Sequence, residues 1–386
     1  MIGIFAAKRT AIGAFQGQFN SFSATDLGRF AIQAALEASG LKTVDEVFMG
    51  CVLQGGLGQA PARQAAIKAG LDVSVPATTI NKVCGSGMRA LMFACDSLRL
   101  GNIQTAIAGG MESMTNAPYI LDKARSGYRF GHSIITDLMQ HDGLEDAYHK
   151  NSHGGRVAMG SFADDTANAF CFTRADQEEF ASVTHTNALA AQNSGAFKTE
   201  IIPVLFSDKK GELTLDQDEQ LSRVKPEKFS SLKPAFKPDG TVTAATSSSL
   251  ADGSAAIVLS AKTDGSLGKI VGYASHSQSP ETFTTAPIGA IKKLCATLNW
   301  SIDSVEAFEI NEAFAVVPMA VMKNLNIPRE KINMHGGACA LGHPIGASGA
   351  RIVVTLLNVM IQKGLKRGIA SACIGGGEAT AIAIEI

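Results

Sequence analysis

The sequence is poor in aromatic and charged residues. Its 386 residues include 1 tryptophan and 4 tyrosines, and charged residues make up 18%, below the roughly 25% of ordinary globular chains. The 34 basic and 35 acidic residues leave a net charge of −1, which offers no electrostatic basis for binding nucleic acid or an anionic membrane. With 46% hydrophobic residues, the chain is expected to bury a large core rather than remain disordered.

The chain also lacks paired cysteine motifs. Its 7 cysteines include no CxxC pair, which argues against a disulfide framework or a zinc ribbon and favours a reducing compartment. At the N-terminus an apolar run precedes Lys8 and Arg9, the reverse of a secretory signal. The apolar stretch at 352–361 is too short to cross a bilayer. We therefore expect a soluble, cytoplasmic protein that binds neither nucleic acid nor membranes.

No nucleotide or metal motif is complete. The glycines at 55, 56 and 58 do not form a dinucleotide fingerprint and are not followed by the lysine and serine of a phosphate-binding loop. His149 and His153 have a spacing that would suit a metal only on a helix, and the polar, glycine-rich stretch around them favours a solvated loop. We expect neither a metal nor a resident cofactor.

Strand-like and helix-like segments alternate in the first 110 residues. Short strands are predicted at 2–6, 47–49, 78–80 and 103–108. Helical spacing and glycine stops between these strands favour an α/β fold with a mostly parallel sheet. Residues 111–244 are more polar and irregular, with one clear helix that begins at a capping box at Thr173. This composition predicts an inserted, loop-rich segment.

The last third of the chain repeats features of the first third. The segments Gly87-Met88-Arg89 and Gly349-Ala350-Arg351 each open a predicted helix. The segments 109–112 and 375–378, two glycine-rich runs that end in glutamate, follow the next strand-like run at nearly the same offset. The pattern predicts an internal duplication, and the alternative is that both halves reuse a common helix–turn–strand arrangement.

Cys84 is the strongest candidate for a nucleophile. It lies between a predicted strand and the start of a helix, in the segment Val83-Cys84-Gly85-Ser86-Gly87. A helix N-terminus is expected to lower the pKa of the Cys84 thiol, and the small neighbours leave room for a substrate. The alternative is a small buried hydrophobic residue, which is what most free cysteines are.

Three further residues could act with Cys84. His343 lies in the loop that the repeat makes equivalent to the Cys84 loop, where it would serve as a base or merely pack. Cys373 precedes the glycines 375–377, whose N–H groups could bind an oxyanion, unless the cysteine is simply part of the core. Asn311 follows a strand, where its amide could polarise a carbonyl or cap a helix.

Several segments of the chain resemble the thiolase family, which comprises acetyl-CoA acetyltransferases and 3-ketoacyl-CoA thiolases. The resemblance extends over nearly the whole chain, and the order and spacing of the motifs are highly specific. The matching segments are residues 9–13, 58–64, 81–87, 108–114, 311–315, 336–349 and 373–377.

The resemblance implies a role for each of the candidate residues. Cys84 would carry the acyl group, His343 would take its proton, and Cys373 would act as acid and base. Asn311 would hold a water that forms one oxyanion hole with His343, and the backbone N–H groups of Cys84 and Gly375 would form the other. A Claisen condensation through an acyl-cysteine needs groups of these kinds.

The resemblance also implies the architecture. We expect an α/β fold, a five-layer αβαβα sandwich of two duplicated βαβαβαββ halves. The first half would comprise residues 1–113 with 245–265, and the second residues 266–386. Residues 114–244 would form an inserted loop domain that binds CoA and supports a homodimer or a homotetramer built as a dimer of dimers.

By the same resemblance, further residues are expected to bind CoA, which is a substrate and product. These residues are Met159, Arg223, Ser248, Phe283, Ala313 and Phe314. Four features depart from the residues usual in the family. The segment 246–249 reads Thr-Ser-Ser-Ser where Asn-Ala-Ser-Gly is usual, which is closer to some degradative members. Ala158 stands where histidine is usual, Phe283 where methionine is frequent, and His335 where many members have asparagine.

The expected activity is CoA-dependent C-acyl transfer, in which two acetyl-CoA form acetoacetyl-CoA and CoA or the reverse. The alternatives are a degradative 3-ketoacyl-CoA thiolase for medium or long chains, a condensing enzyme that acts on a carrier protein, a cysteine hydrolase, and a non-catalytic acyl-CoA or lipid-binding homologue. Loss of Cys84, His343 or Cys373 would mark the non-catalytic homologue, and all three are present. The departures leave the chain length and the direction open.

Overall fold

The computed structural model describes residues 1–208 and 211–386. Its strands are β1 (Ile2–Thr10), β2 (Gly13–Ala14), β3 (Glu46–Gly50), β4 (Ala77–Ile80), β5 (Thr105–Ser113), β6 (Tyr119–Leu121), β7 (Ile135–Asp137), β8 (Glu145–Lys150), β9 (Arg156–Ala158), β10 (Ile201–Ile202), β11 (Val204–Asp208), β12 (Gly211–Leu215), β13 (Ala251–Ser260), β14 (Gly268–Ser277), β15 (Ala307–Ile310), β16 (Arg367–Ile374) and β17 (Glu378–Glu385). Its α-helices are α1 (Ala24–Ser39), α2 (Pro61–Lys68), α3 (Ser86–Arg99), α4 (Met159–Ala169), α5 (Arg174–Ser194), α6 (Gln220–Arg223), α7 (Ala286–Leu298), α8 (Val316–Leu325), α9 (Ala338–Leu341) and α10 (Ile345–Lys363).

Capping residues define the ends of the longer helices. Helix α1 begins after Ser23, whose side chain and that of Asp26 exchange hydrogen bonds with the backbone, and it ends at Gly40, where φ is 71°. Helix α5 begins in the same way at Thr173 and ends at Gly195. The capping oxygens satisfy N–H groups that have no partner in the helix, and glycine adopts the left-handed conformation without strain.

Each half of the chain builds a sheet, and the two sheets have the same strand order. The strand order is β4-β3-β5-β13-β1 in the first half and β15-β16-β17-β14 in the second. Strand β3 runs parallel to β4 and β5, and β15 runs parallel to β16. A single parallel bridge from Phe308 to Ile332 takes the place that β4 has in the first half. The shared topology confirms the predicted duplication, and an antiparallel contact between β1 and β14 joins the two sheets.

Alternating side chains on each sheet build five layers. Ile257 of β13 and Ile382 of β17 face a central core that contains α3 and α10. Val258 points the opposite way, toward α1 and α2, and Ala383 points toward α7 and α8. Because successive side chains of a strand lie on opposite faces, each sheet is covered on both sides. The result is the αβαβα sandwich that the resemblance implied.

Helix α10 forms much of the central layer. Its 19 residues are long enough and apolar enough to cross a membrane, judged by length and composition alone. The helix extends beyond both ends of the apolar run at 352–361, from which the sequence analysis expected a segment too short to do so. In the structure, 83% of its apolar window is buried. A core helix passes the same composition test because it too is surrounded by apolar groups.

The first turns of α3 and α10 touch backbone to backbone. A Cβ atom on Gly349 would lie 2.6 Å from the Met88 nitrogen, and one on Gly87 would lie 2.9 Å from the Ala350 nitrogen. Such approaches leave no room for a side chain, so both positions require glycine. This contact brings together the two loops that precede the helices.

One part of the expected repeat is wrong. Glu112 lies within β5, whereas Glu378 begins β17, although the counterpart of β5 is β16. The glycines before the two glutamates also serve different needs. A Cβ atom on Gly110 would lie 2.1 Å from the Gly346 carbonyl oxygen, while Gly377 has a φ of 83°. The similar sequences at 109–112 and 375–378 therefore have different causes, a close packing contact in the first half and a turn in the second.

The segment 114–244 adds small antiparallel pairs, β6 with β7, β8 with β9 and β11 with β12. A buried ion network anchors it to β1. The Arg9 guanidinium binds Glu200 at 2.7 Å and Asp218 at 2.8 and 2.9 Å. Paired and hydrogen-bonded charges are the form in which ions are tolerated inside a protein. The bounds proposed for this loop domain and for the two halves remain predictions.

Replacement of Gly349 by alanine tests the contact between α3 and α10. We expect Gly349→Ala to lower the free energy of unfolding by about 1–3 kcal/mol, because the new methyl group forces the helices apart. Chemical denaturation measures the loss. Gly253→Ala in β13 is the matched control, since a Cβ atom there would lie 3.4 Å from its nearest neighbour. Equal losses in the two variants would contradict the packing account.

Candidate active site

A strained loop between β4 and α3 presents Cys84. Val83 has a φ of 47°, a conformation that β-branched residues rarely adopt. The Asn81 side chain accepts the Val83 N–H at 3.1 Å. The Ser86 hydroxyl donates to the Val83 carbonyl at 2.7 Å and accepts the Lys82 N–H at 2.8 Å. These bonds hold the strained residue in place, and the following residue, Cys84, is partly exposed to solvent.

Burial dominates the electrostatics of the Cys84 thiol. It raises the pKa of Cys84 to about 11, although hydrogen bonds from the backbone N–H groups of Gly375 and of Cys84 itself act in the opposite direction. The negative charge of Glu112 raises the pKa further. The expectation of a lowered pKa is therefore wrong, because loss of water around the sulfur outweighs the helix N-terminus. The two N–H groups are thus close enough to the sulfur to affect its charge, and an oxyanion hole would require them to point at the oxygen of an acyl group on that sulfur.

The His343 side chain is held in one orientation by Ser348. The Nδ1 atom of His343 lies 2.5 Å from the Ser348 hydroxyl oxygen. That hydroxyl donates its proton to the Pro344 carbonyl at 3.0 Å, so it must accept from Nδ1–H. The Nε2 atom is then the basic nitrogen. Burial, with a smaller contribution from the Arg351 charge, lowers the pKa of His343 to about 3, and the ring is neutral at physiological pH.

Cys373 and Asn311 lie behind these two residues. Cys373 lies near the end of β16, two residues before Gly375, which lines the same cleft as Cys84. Burial, followed by the charge of Cys84, raises the pKa of Cys373 well above that of a free thiol. The Asn311 side-chain nitrogen lies 3.4 Å from His343 Nε2. Its Oδ1 atom is buried and has no hydrogen-bond partner among the described residues. The structure thus brings all four candidate catalytic residues into one region.

A cleft of about 330 Å³ leads to Cys84 and His343. The sequence-predicted residues along its walls are Ala158, Met159, Ser248, Phe283, Ala313, Phe314 and Gly375. The Ser248 hydroxyl donates to the Ala313 carbonyl at 3.1 Å, and the rings of Phe283 and Phe314 meet edge to face at 6.3 Å. A mostly apolar cleft with a few polar groups is the usual form of a small-molecule site.

Cys373 and Asn311 adjoin this cleft without lining it, and other residues that the sequence analysis named lie elsewhere. Arg223 pairs with Glu219 and lines a separate pocket. His335 packs edge to face on Phe197 at 5.9 Å, and burial, with a smaller effect of the Lys363 charge, lowers its pKa to about 4.

His149 and His153 do not lie on a helix. His149 belongs to β8 and contacts Asp146 at 2.9 Å, while His153 lies in a turn. Within the ranges 1–208 and 211–386, no three histidine, cysteine, aspartate or glutamate side chains form a group that could hold a metal ion.

Sequence reasoning missed several residues that shape the site. Phe236, Leu144 and Leu250 line the cleft, and the Phe236 ring meets Phe314 edge to face at 5.8 Å. No local pattern marks Phe236, because its partners are distant in the chain. Ser348 could have been noticed one turn into the helix that follows His343.

Glu112 is a further missed residue, and it joins the two halves. Its carboxylate accepts backbone N–H groups of Val52 at 3.1 Å, Leu53 at 3.2 Å and Gly346 at 2.9 Å. Burial raises the pKa of Glu112 to about 7 against the effect of these bonds. Gly346 is in the first turn of α10, so Glu112 of β5 helps to position the His343 loop.

Family models match the whole chain. Residues 2–263 match the thiolase N-terminal domain, and residues 265–386 match the thiolase C-terminal domain. The chain belongs to the thiolase family. The boundary between the two matches, at residue 264, falls between β13 and β14.

Characterised relatives resemble this thiolase along its full length. It is 44% identical to the acetyl-CoA acetyltransferase of Pseudomonas aeruginosa, over 99% of this chain and 98% of the relative. The crystal structure of the Bacillus anthracis acetyl-CoA acetyltransferase matches with a TM-score of 0.95 at 37% identity, covering 100% of this chain and 98% of that one. A thiolase from Ascaris suum in complex with coenzyme A matches with a TM-score of 0.91 at 38% identity, covering 100% and 99%.

The pH dependence of Cys84 alkylation tests the electrostatics of this thiolase. Below its raised pKa, the fraction of Cys84 present as thiolate increases with pH. We therefore expect the rate of alkylation by iodoacetamide to increase about tenfold per pH unit between about pH 7 and 10. Mass spectrometry of the Cys84 peptide measures the rate, because Cys171 is also exposed. In the unfolded chain the same peptide should level off near the ordinary thiol pKa of about 8.5. A plateau below about pH 8 in the folded protein would instead indicate a thiolate–imidazolium pair.

Proposed function

We propose that this thiolase is a CoA-dependent C-acyltransferase that converts two acetyl-CoA to acetoacetyl-CoA and CoA, and catalyses the reverse thiolysis. The observation that carries the proposal is the convergence of Cys84, His343 and Gly375 on one cleft, with Cys373 and Asn311 adjoining it. The names of the relatives as acetyl-CoA acetyltransferases support the same reaction.

In the first half-reaction Cys84 accepts an acetyl group. Its thiol gives a proton to His343 Nε2 as the sulfur attacks the thioester carbonyl carbon. The N–H groups of Cys84 and Gly375 hold the oxyanion that forms. The bond from carbon to the CoA sulfur then breaks, and CoA leaves as a thiol with a proton from Cys373. Before the attack, the Cys84 thiol and the His343 imidazole are both neutral, as the raised pKa of Cys84 and the lowered pKa of His343 require. The proton passes from Cys84 to His343 only as the attack proceeds, so charge develops only then.

In the second half-reaction a new carbon–carbon bond forms. The Cys373 thiolate removes a proton from the methyl group of a second acetyl-CoA. The enolate oxygen is held by protonated His343 and by a water on Asn311, whose Oδ1 atom has no protein partner in the described part of the chain. The enolate carbon attacks acetyl-Cys84, and the Cys84 sulfur leaves and recovers its proton from His343. All three residues end in their starting protonation states.

The cleft and a neighbouring pocket suggest how CoA binds. The pantetheine arm would lie along the apolar cleft, past Met159 and Phe314. The second pocket, of about 250 Å³, begins at Ser249, the neighbour of Ser248, and contains Arg223, Lys225 and Lys228. These cations suit the phosphate groups of CoA. Arg223 would thus contact the nucleotide end of CoA rather than the reacting atoms.

A preference for longer acyl chains is the second candidate function. A polar chamber of about 360 Å³ adjoins the cleft and shares Met159 and Gly375 with it. Displacement of the flexible Met159 side chain would open this space to an acyl group on Cys84. Buried Phe283 and its partner Phe314 narrow the opposite wall, which favours acetyl.

We also propose that copies of the chain associate as a homodimer or homotetramer. Several large apolar side chains of the segment 119–135 are exposed, among them Tyr119, Phe130 and Ile134, and such patches are typical of association surfaces. Analytical ultracentrifugation at micromolar concentration measures the mass, and a monomer alone would contradict this proposal. The cytoplasmic location remains a prediction based on the seven unpaired cysteines.

Substitution of the two cysteines separates the two half-reactions. Cys84→Ala should abolish labelling of the protein by radioactive acetyl-CoA, because no nucleophile remains. Cys373→Ser should retain labelling but lower the condensation rate by at least about a hundredfold, since the acid–base group is weakened. Undiminished labelling of Cys84→Ala would refute its role, and normal condensation by Cys373→Ser would refute that of Cys373.

Thiolysis across a series of 3-ketoacyl-CoAs identifies the substrate. We expect the highest kcat/KM for acetoacetyl-CoA, falling as the chain lengthens, because Phe283 and Phe314 limit the space beside Cys84. CoA-dependent loss of the 3-ketoacyl thioester measures the rate. Activity that rises with chain length would instead support a degradative thiolase that uses the polar chamber.

A further inference from the structure

The two N–H donors of the proposed oxyanion hole around Cys84 come from different halves of the molecule. One N–H donor, of Cys84, belongs to the loop 81–85 in the first half. The other, of Gly375, belongs to the loop 375–378 in the second. The distance between the donors therefore depends on how the two loops are held together, and oxyanion stabilisation depends steeply on donor placement.

Both loops have backbone conformations that need support. Val83 precedes Cys84 with a φ of 47°, and Gly376 and Gly377 follow Gly375 with φ values of 92° and 83°. The loops are in direct contact, since a Cβ atom on Gly375 would lie 3.7 Å from a Val83 side-chain carbon. One on Gly85 would lie 2.3 Å from a terminal carbon of Ile374, the residue before the second loop. Packing of this kind limits how near the loops can come and does not prevent them from separating.

An ion pair between Lys82 and Glu378 joins the two loops. Among the described residues, it is the one hydrogen bond between the loops besides the Gly375 N–H that points at Cys84. The Ser277 hydroxyl donates to the other carboxylate oxygen of Glu378 at 2.9 Å, so the carboxylate is oriented from the side of β14. Lys82 is two residues before Cys84, and Glu378 is three residues after Gly375.

The carboxylate of the pair stays charged at physiological pH. Burial acts to raise the pKa of Glu378, and hydrogen bonds from Lys82 and Ser277 more than offset it, so the pKa lies below its usual value. A depressed pKa means that the interaction is present above the ordinary carboxyl range and is lost only in acid. The side chains of Lys82 and Glu378 are 25% and 32% exposed, and pairs at such sites add little to stability.

We propose that Lys82 and Glu378 are positioning residues, whose ion pair sets the separation of the two N–H donors that stabilise the oxyanion on Cys84. This inference rests on the proposed acyl transfer. Neither side chain touches the reacting atoms. The pair acts through the loops, and it explains why a glutamate follows the glycines 375–377 even though the repeat does not require one there.

Charge exchange tests the pair. In Lys82→Glu and in Glu378→Lys two like charges face each other, and the loops should separate. We expect each single variant to slow acetylation of Cys84 by acetyl-CoA roughly tenfold, less than the 10²–10³ that follows removal of an oxyanion-hole donor. The double variant Lys82→Glu/Glu378→Lys restores an attractive pair and should recover to within about threefold of the original rate.

Alkylation of Cys84 by iodoacetamide separates positioning from folding. That reaction displaces iodide from a saturated carbon and forms no oxyanion. Movement of the Gly375 N–H or a change of nearby charge alters the Cys84 pKa, so the rate is divided by the thiolate fraction taken from its pH profile. This rate per thiolate should be unchanged in all three variants. Glu385→Gln is the matched control, because Glu385 pairs with Arg367 at 2.9 Å at the other end of β16 and β17 with similar exposure. It should leave both acetylation and alkylation unchanged.

The outcomes distinguish this inference from the proposed function. Slow acetylation with normal alkylation in the single variants, and rescue in the double variant, would support the positioning role. Three results would overturn it while the original protein is still acetylated: unchanged acetylation in the single variants, an equal loss of the alkylation rate per thiolate, or no rescue in the double variant. If the original protein is alkylated at Cys84 but never acetylated, the proposed acyl transfer fails, and this inference fails with it.

Discussion

The backbone contact between the first turns of α3 and α10 is the constraint on which the rest of the structure depends. Gly87 and Gly349 let the two helices approach more closely than any side chain would permit. Each helix is preceded by a loop with a chemically active residue, Cys84 in one half and His343 in the other. The internal duplication therefore yields two different half-sites, and the contact in the central layer makes them into one cleft.

Burial is the second influence on the site, and it acts on both Cys84 and His343. It disfavours the thiolate of Cys84 and the imidazolium of His343, so the resting site carries little charge. Such a site needs donors that are already in position when charge appears, since little bulk water is available to reorient around it. The Gly375 N–H and the Cys84 N–H meet this need. The Ser348 hydroxyl is also in position beforehand, and by accepting a hydrogen bond from Nδ1 of His343 it keeps the proton on that nitrogen.

Much of the fold could be predicted from local chemistry and from the family resemblance. Periodicity and caps such as Thr173 indicated individual helices correctly, because those signals depend on neighbours in the chain. The sequence repeat that matches Gly87 with Gly349 corresponds to a real structural equivalence, because both glycines lie at the contact between α3 and α10. The match of Glu112 with Glu378 did not, because glycine is needed both for close packing and for positive φ, and sequence letters do not separate the two needs.

By itself, the sequence determined the family, the duplicated architecture and the identity of the groups that converge on the cleft, because these follow from residue types and their order. Only the tertiary structure decided their protonation, because the pKa of Cys84 depends on how much water the folded chain removes. It also placed Arg223 in a separate pocket, brought Phe236 onto the cleft and paired Lys82 with Glu378. The contacts of Phe236 with Phe314 and of Lys82 with Glu378 join residues far apart in the chain, and such pairs are specified by packing rather than by any local pattern.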